Sequence, residues 1–399
     1  MSATPVWRQP GMPALLVVSF AGFSGYAALI AVAPLWAVHG GADAAGAGLV
    51  NAVLLLTTVA VQFLVPWLLR RLGYVAVLVI GLAFLGLPAL GYGLSDQLLP
   101  VLVMSALRGI GFAIVTVTGS AMVAQLVPPA RLGSGIGVYG LAVAVPMLVL
   151  LPLSVPIADG IGFPATFALG ALPLVGIPAA VPLGRRMARL QPAPDAGVER
   201  AGNGPSRREL AGRLGRPMFI LLSVTLTGGA LMTFLPQLID SSRLAAATLF
   251  LLSLCAAVGR SLVGALADRT GPKPYLAPLL LLTAAGMLTT AWWVREPTDV
   301  WVLLLAVGVV GIGYGALQNL TLVASFQEVS RDRLNQASAA WNAGFDAGTG
   351  LGALVTGYLA TRLEFPPAFV VLAVISVLAV AAVPGISARA DRATRPPAE

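Results

Sequence analysis

The chain has 399 residues, 58% of them hydrophobic and 10% charged, and its mean hydropathy is +0.90. Soluble domains carry about 25% charged residues, so this composition excludes a water-soluble enzyme and a disordered chain alike. One cysteine (Cys255) excludes a disulfide framework, and a single histidine (His39) argues against a His-based metal site or a Ser-His-Asp triad. The net charge of +8 lies on 24 basic residues, all arginine except Lys273, with no basic patch interleaved with aromatics. Nucleic acid is therefore not an expected partner.

The apolar stretches are about 20 residues long, enough to cross a bilayer as helix and well beyond the ~10 residues of a barrel strand. Twelve spans follow in chain order: Met12–Val38, Gly46–Leu69, Val75–Leu94, Leu98–Val127, Ser134–Ile157, Ala165–Leu183, Met218–Ile239, Leu244–Ala267, Tyr275–Val294, Val300–Ala324, Ala337–Thr361 and Ala368–Val383. The first follows only Arg8 and is too long for a signal-peptide core, so it is read as a retained helix. With the N-terminus inside, only Arg243, Arg295 and Arg362 fall outside the cell, and Arg108 and Arg260 lie within spans. All other basic residues then face the cytoplasm, which is the positive-inside bias and places both termini there. Arginine in place of lysine is the usage of a GC-rich genome and points to a bacterial inner membrane.

Residues 184–217 form the longest polar stretch, rich in Arg, Pro and Gly and without apolar periodicity. It reads as a solvated linker (185–217) between an N-terminal bundle (1–184) and a C-terminal bundle with a short tail (218–399). The halves are alike. Gly109, Ile110, Gly111, Gln125, Val127, Arg131 and Leu132 find identical residues 202 positions later, and Phe112 is matched by Tyr314. At an offset of 198, the loop after the second span (Gln62, Pro66, Arg71, Gly73) aligns with the loop after the eighth (Arg260, Gly264, Arg269, Gly271). Two parallel six-helix repeats with a site near the midplane is a transporter architecture.

The segment Gly264-Ala-Leu-Ala-Asp268-Arg269-Thr-Gly271-Pro-Lys273 resembles the cytoplasmic loop motif of the major facilitator superfamily. The stretch Asn342-Ala-Gly-Phe345-Asp346-Ala-Gly348 is similar to the eleventh helix of its bacterial efflux members, and Leu107-Arg108-Gly109-Ile-Gly111 to their fourth. In the first-half loop Arg70 stands where that motif has Asp, and Ser105 stands where the antiporter pattern of helix four has Arg. The resemblance implies an all-α membrane protein with twelve transmembrane helices in two pseudo-symmetric six-helix bundles. It also implies alternating access and proton-coupled efflux of a small organic compound, with import or facilitated passage of a metabolite as the alternative. Arg260, Gly264, Asp268, Arg269 and Gly271, with Arg70 and Arg71, would form a conformational latch. No cofactor or metal is expected, and the partners are a small-molecule substrate, the proton and the bilayer, with the chain acting as a monomer. An embedded enzyme would need clustered catalytic groups on its loops, and direct ATP drive a Walker loop; the sequence has neither.

Asp346 is the one carboxylate well inside a span, 13 residues beyond Arg333 and so about 20 Å along the helix. Such a group is costly in hydrocarbon and usually functional, which makes it the candidate for proton coupling. Asn342, four residues earlier, shares its face, so a hydrogen-bonding anchor is the alternative. Arg108 on helix four, Gln318 and Asn319 on helix ten, Asn342, and Tyr26 on helix one are the candidates for the substrate cavity.

Overall fold

The computed structural model describes residues 5–127, 132–190, 207–297, 299–328 and 334–385. All regular structure among them is helical. The chain forms two compact units, Met1–Ala201 with Ile239–Ala246, and Gly202–Leu238 with Ala247–Glu399.

Unit 1 contains α1 (Met12–Ile30), α2 (Val32–His39), α3 (Ala44–Gln62), α4 (Val65–Gly91), α5 (Leu98–Leu126), α6 (Leu132–Gly160), α7 (Phe163–Gly170) and α8 (Ile177–Leu190). The first span is thus two helices. Pro34 has no N–H to offer the carbonyl four residues before it, that of Ile30, and the helix breaks at Ala31. Asn51 of α3 fills the gap, its Nδ2 donating to the Ile30 carbonyl at 2.8 Å. In hydrocarbon a freed carbonyl needs such a neighbour. The second span ends at Gln62 and not at Leu69, because Pro66 suits a first helical turn and starts α4. The sixth span is α7, a 3-10 segment over Leu172–Gly176 and α8, with Pro173 and Pro178 at its junctions.

Unit 2 contains α9 (Arg207–Leu238), most of α10 (Ser242–Thr270), α11 (Lys273–Arg295), α12 (Val300–Gln327), α13 (Leu334–Leu363) and α14 (Phe365–Ala379). The polar stretch between the halves is shorter than its sequence reads. Helix α8 runs to Leu190 and α9 begins at Arg207, carrying Arg185, Arg186, Arg189, Arg213 and Arg216 on helical turns. Residues 191–206 lie outside the described residues. Eleven spans are long and apolar enough to cross a bilayer, among the described residues. Helix α13 has the length, 30 residues, but its first half carries Asn335, Gln336, Asn342 and Asp346. Large apolar side chains such as Leu87 on α4, Leu281 and Leu288 on α11 and Val374 on α14 point outward, which suits lipid and not water.

Packing repeats within the units. In unit 1, α1 lies on α6, α4 on α5 and α4 on α8; in unit 2, α9 lies on α13, α11 on α12 and α11 on α14. The glycines at offset 202 make equivalent close approaches. A Cβ on Gly109 would strike the Leu54 carbonyl of α3, and one on Gly311 the Leu252 carbonyl of α10, at 2.7 Å. The loop glycines at offset 198 share a left-handed backbone, with φ 73° at Gly73 and 78° at Gly271, a conformation that L side chains resist. Gly311→Ala should cost about 1–3 kcal/mol, because the nearest obstacle, the Leu252 carbonyl, is backbone and cannot rotate away. Gly140→Ala on α6, where a Cβ meets open space, is its control. Thermal unfolding of the purified protein reads both, and equal melting temperatures for the two variants would refute the close-packing argument.

Candidate functional site

In unit 1, Arg108 on α5 is 0% exposed. Its Nη2 donates to the Gly25 carbonyl of α1 at 2.9 Å, and its guanidinium lies 5.7 Å from the Tyr92 ring centre. The Tyr92 hydroxyl is held by Ser105 at 2.8 Å, one turn before Arg108 on α5. Nε and Nη1 have no protein partner. Arg108 is therefore buried within the unit and closed off from any ligand in this structure, in contrast to its expected place on a cavity wall. Tyr26 is buried as well and stacks on Phe112 at 4.2 Å with rings 8° from parallel, while Phe23 meets the same ring edge-on at 5.5 Å. Tyr26 thus contributes aromatic packing between α1 and α5.

Unit 2 gathers polar groups where unit 1 has aromatics. Position 314, the partner of Phe112 in the repeat, is Tyr. Tyr314 is buried, hydrogen-bonds Thr349 of α13 and Gln318 of α12, and lies within electrostatic range of Arg260 of α10 and Asp346 of α13. Gln318 is 1% exposed and accepts a hydrogen bond at Oε1 from Arg260 Nη2. Asn319 donates from Nδ2 to the Arg260 carbonyl at 3.0 Å, tying α12 to α10 at the same level. Asp346 is 5% exposed, and Asn342 lies half-buried one turn before it. Trp341 stacks on Phe345 at 5.6 Å and donates from Nε1 to Thr321 Oγ1 at 3.1 Å, which fixes this stretch of α13 against α12.

These groups share a depth. Arg260 lies ten residues from the end of α10, Gln318 nine from the end of α12 and Asp346 twelve from the start of α13. At about 1.5 Å per residue each is roughly 14–18 Å from the same end of the unit. The sequence grouped Arg260 with the loop motif; its guanidinium instead joins Gln318 and Tyr314 inside the span. Helix turns explain the difference, since Arg260 is two turns from Asp268 and its side chain follows α12, not the loop. Gly264, Asp268 and Arg269 fall within α10, but their side chains lie outside the described residues. Arg70 and Arg71 are exposed ahead of Gly73, with Arg71 6.0 Å from the Trp67 ring centre. Tyr314 and Thr349 are the members of this cluster that the sequence did not single out. The signals were a hydroxyl gained at a repeat position that is Phe in the first half, and a threonine three residues after Asp346 on the same face.

An all-helical, multi-pass membrane protein built of two like units is the class that the apolar spans and the packing repeat define. Residues 14–294 and 218–398 match the family model of the Major Facilitator Superfamily, and the chain belongs to that family. No curated protein sequence matches it. Among solved structures it is similar to a D-xylose-proton symporter, with a TM-score of 0.74 at 15% identity over 94% of this chain and 97% of that one. It is also similar to a bacterial homologue of the human lysosomal transporter Spinster, inward-facing and unoccupied, with a TM-score of 0.72 at 16% identity over 96% and 97% of the two chains. A POT family transporter in complex with 5-aminolevulinic acid gives a TM-score of 0.71 at 12% identity over 94% and 96%. At these identities the likeness concerns the fold. The protein is a multi-pass membrane transporter and not an enzyme.

Proposed function

We propose that this transporter moves a small organic compound across a bacterial inner membrane by alternating access and couples the movement to protons through Asp346. The observation that supports this reading is a buried carboxyl inside α13, in electrostatic contact with Tyr314, on which Arg260 also acts. A charged carboxyl in hydrocarbon is costly unless it is paired. Either a proton or the field of Arg260 relieves that cost, so the group supports two arrangements that a conformational change can exchange. The bundles 1–184 and 218–399, joined by 185–217, would be the moving halves of a monomer with both termini in the cytoplasm. Export in exchange for protons follows the resemblance of helix eleven to efflux members. Uptake together with a proton is the second reading, and a cation held beside Gln318 inside the span favours it.

The test is reconstitution in liposomes, an imposed proton gradient and a compound screen for gradient-dependent movement. The sign of movement distinguishes export from uptake, and a protein that moves no compound under any gradient would end the transport reading. The loop motif supplies a separate expectation. Asp268 sits in the last turn of α10, where the helix dipole disfavours a carboxylate, so its placement calls for a function other than capping. Asp268→Asn should cut the transport rate severalfold while leaving membrane insertion intact, and a wild-type rate would remove the latch.

A further inference from the structure

We propose that Arg260 and Gln318 form a carboxylate-binding subsite in unit 2, so that the substrate is a small organic acid with an apolar body. The inference deepens the second reading above and rests on it for the part Asp346 plays. Arg260 is exposed, although it stands some 15 Å inside the span by helix rise. A guanidinium at that depth faces water or protein, not lipid. Its neighbours one turn away on α10 are Ala256, Ala257, Val263 and Gly264, so its own helix surrounds the residue with apolar groups.

Gln318 is the second observation. Arginine has only donors, so the amide must present Oε1 to it and turn Nε2 away. That Nε2 is buried and has no hydrogen-bond partner. The Gln318 side chain thus braces the cation while leaving a donor of its own unused, beside a guanidinium with further N–H groups to give. Adjacent donors without an acceptor are what a carboxylate satisfies, with the planar fork of Arg suited to two parallel bonds. One Arg and one neutral amide balance a single negative charge; a phosphate dianion would leave a charge uncompensated in a low-dielectric site.

The charged groups around this site are few. Helix α10 contributes Arg260, and α13 contributes Asp346 through Tyr314, which belongs to α12. Helices α12 and α14 carry no charged residue, and the charges of α9 all precede Pro217. An ionised Asp346 competes with an incoming carboxylate for the field of Arg260, and a protonated one does not. Carboxylate and proton therefore occupy unit 2 together, and co-bound they travel in the same direction.

The experiment is calorimetric titration of the full chain in lipid nanodiscs with benzoate, its neutral isostere benzamide, and inorganic phosphate, between pH 5.5 and 8. We expect benzoate to bind at least tenfold more tightly than benzamide and phosphate. Arg260→Gln should collapse that preference, Arg260→Lys should retain part of it, and Gln318→Leu should lower benzoate affinity several-fold. Equal binding of acid and amide, equal binding of phosphate, no binding of benzoate, or an unchanged preference in Arg260→Gln each overturns the subsite. If Arg260→Gln does not fold, Gln318→Leu decides, and wild-type benzoate affinity in it overturns the proposal. Benzoate affinity should rise as pH falls in the wild type and stay flat in Asp346→Asn. A flat wild-type profile with the benzoate preference intact supports the carboxylate subsite and removes the proton role of Asp346.

Discussion

In vesicles with an imposed pH gradient, Asp346→Asn is expected to lose gradient-driven accumulation entirely while still exchanging substrate across the membrane. The amide keeps the volume and hydrogen bonding of the buried carboxyl but cannot gain or lose a proton. One pH unit corresponds to about 1.36 kcal/mol, so coupling one proton to one substrate supports up to roughly tenfold accumulation. The variant should hold a ratio of one, with exchange within a few-fold of wild type. A purely structural anchor predicts another pattern. An amide would serve as well as a carboxyl, and only Asp346→Ala would fail, because Thr349 and Asn342 on the same face would face a cavity. Uptake measured at two gradients for both variants separates the two, and wild-type accumulation by Asp346→Asn would end the coupling role.

Arg108→Met is expected to raise the thermal stability of unit 1 while slowing transport by more than tenfold. Arg108 is fully buried, with a single hydrogen bond to the Gly25 carbonyl and no protein partner for Nε or Nη1. A buried charge left this incomplete is unfavourable, and an apolar side chain of similar volume often gains about 1–4 kcal/mol in its place. An arginine left this incomplete calls for another conformation that satisfies it, through rearrangement of α1 around the break at Ala31. Removing the charge would then favour the present state and slow exit from it. Melting temperature and initial transport rate, measured on one preparation, read both effects. A lower melting temperature with normal transport would show that Arg108 is a structural pin between α5 and α1.

Fold class was legible from hydropathy because a bilayer imposes one length on every helix that crosses it. The repeat was legible too, through backbone demands that only glycine meets. Gly73 and Gly271 take the same positive φ, and Gly109 and Gly311 sit against equivalent carbonyls, so both pairs stood out in sequence at fixed offsets. Proline positions were visible but their consequences were not. Pro34 breaks α1 at a place where Asn51, on another helix, repairs the freed carbonyl, and no local pattern announces that repair. The polar candidates divide in the same way. Sequence alone singled out Asp346, Arg108, Gln318 and Arg260, since a charge or amide in an apolar span is conspicuous wherever it points. Their partners depended on which faces of α10, α12 and α13 meet, and that is decided by packing over more than 50 residues of separation, as between Arg260 and Gln318. Tertiary structure therefore joined Arg260 of the loop motif to the side chain of Gln318 inside the span and closed Arg108 inside its bundle. Composition and periodicity determine that helices form and span, because those are local and solvent-driven choices; which side chain completes another's hydrogen bonds is settled only when the helices pack.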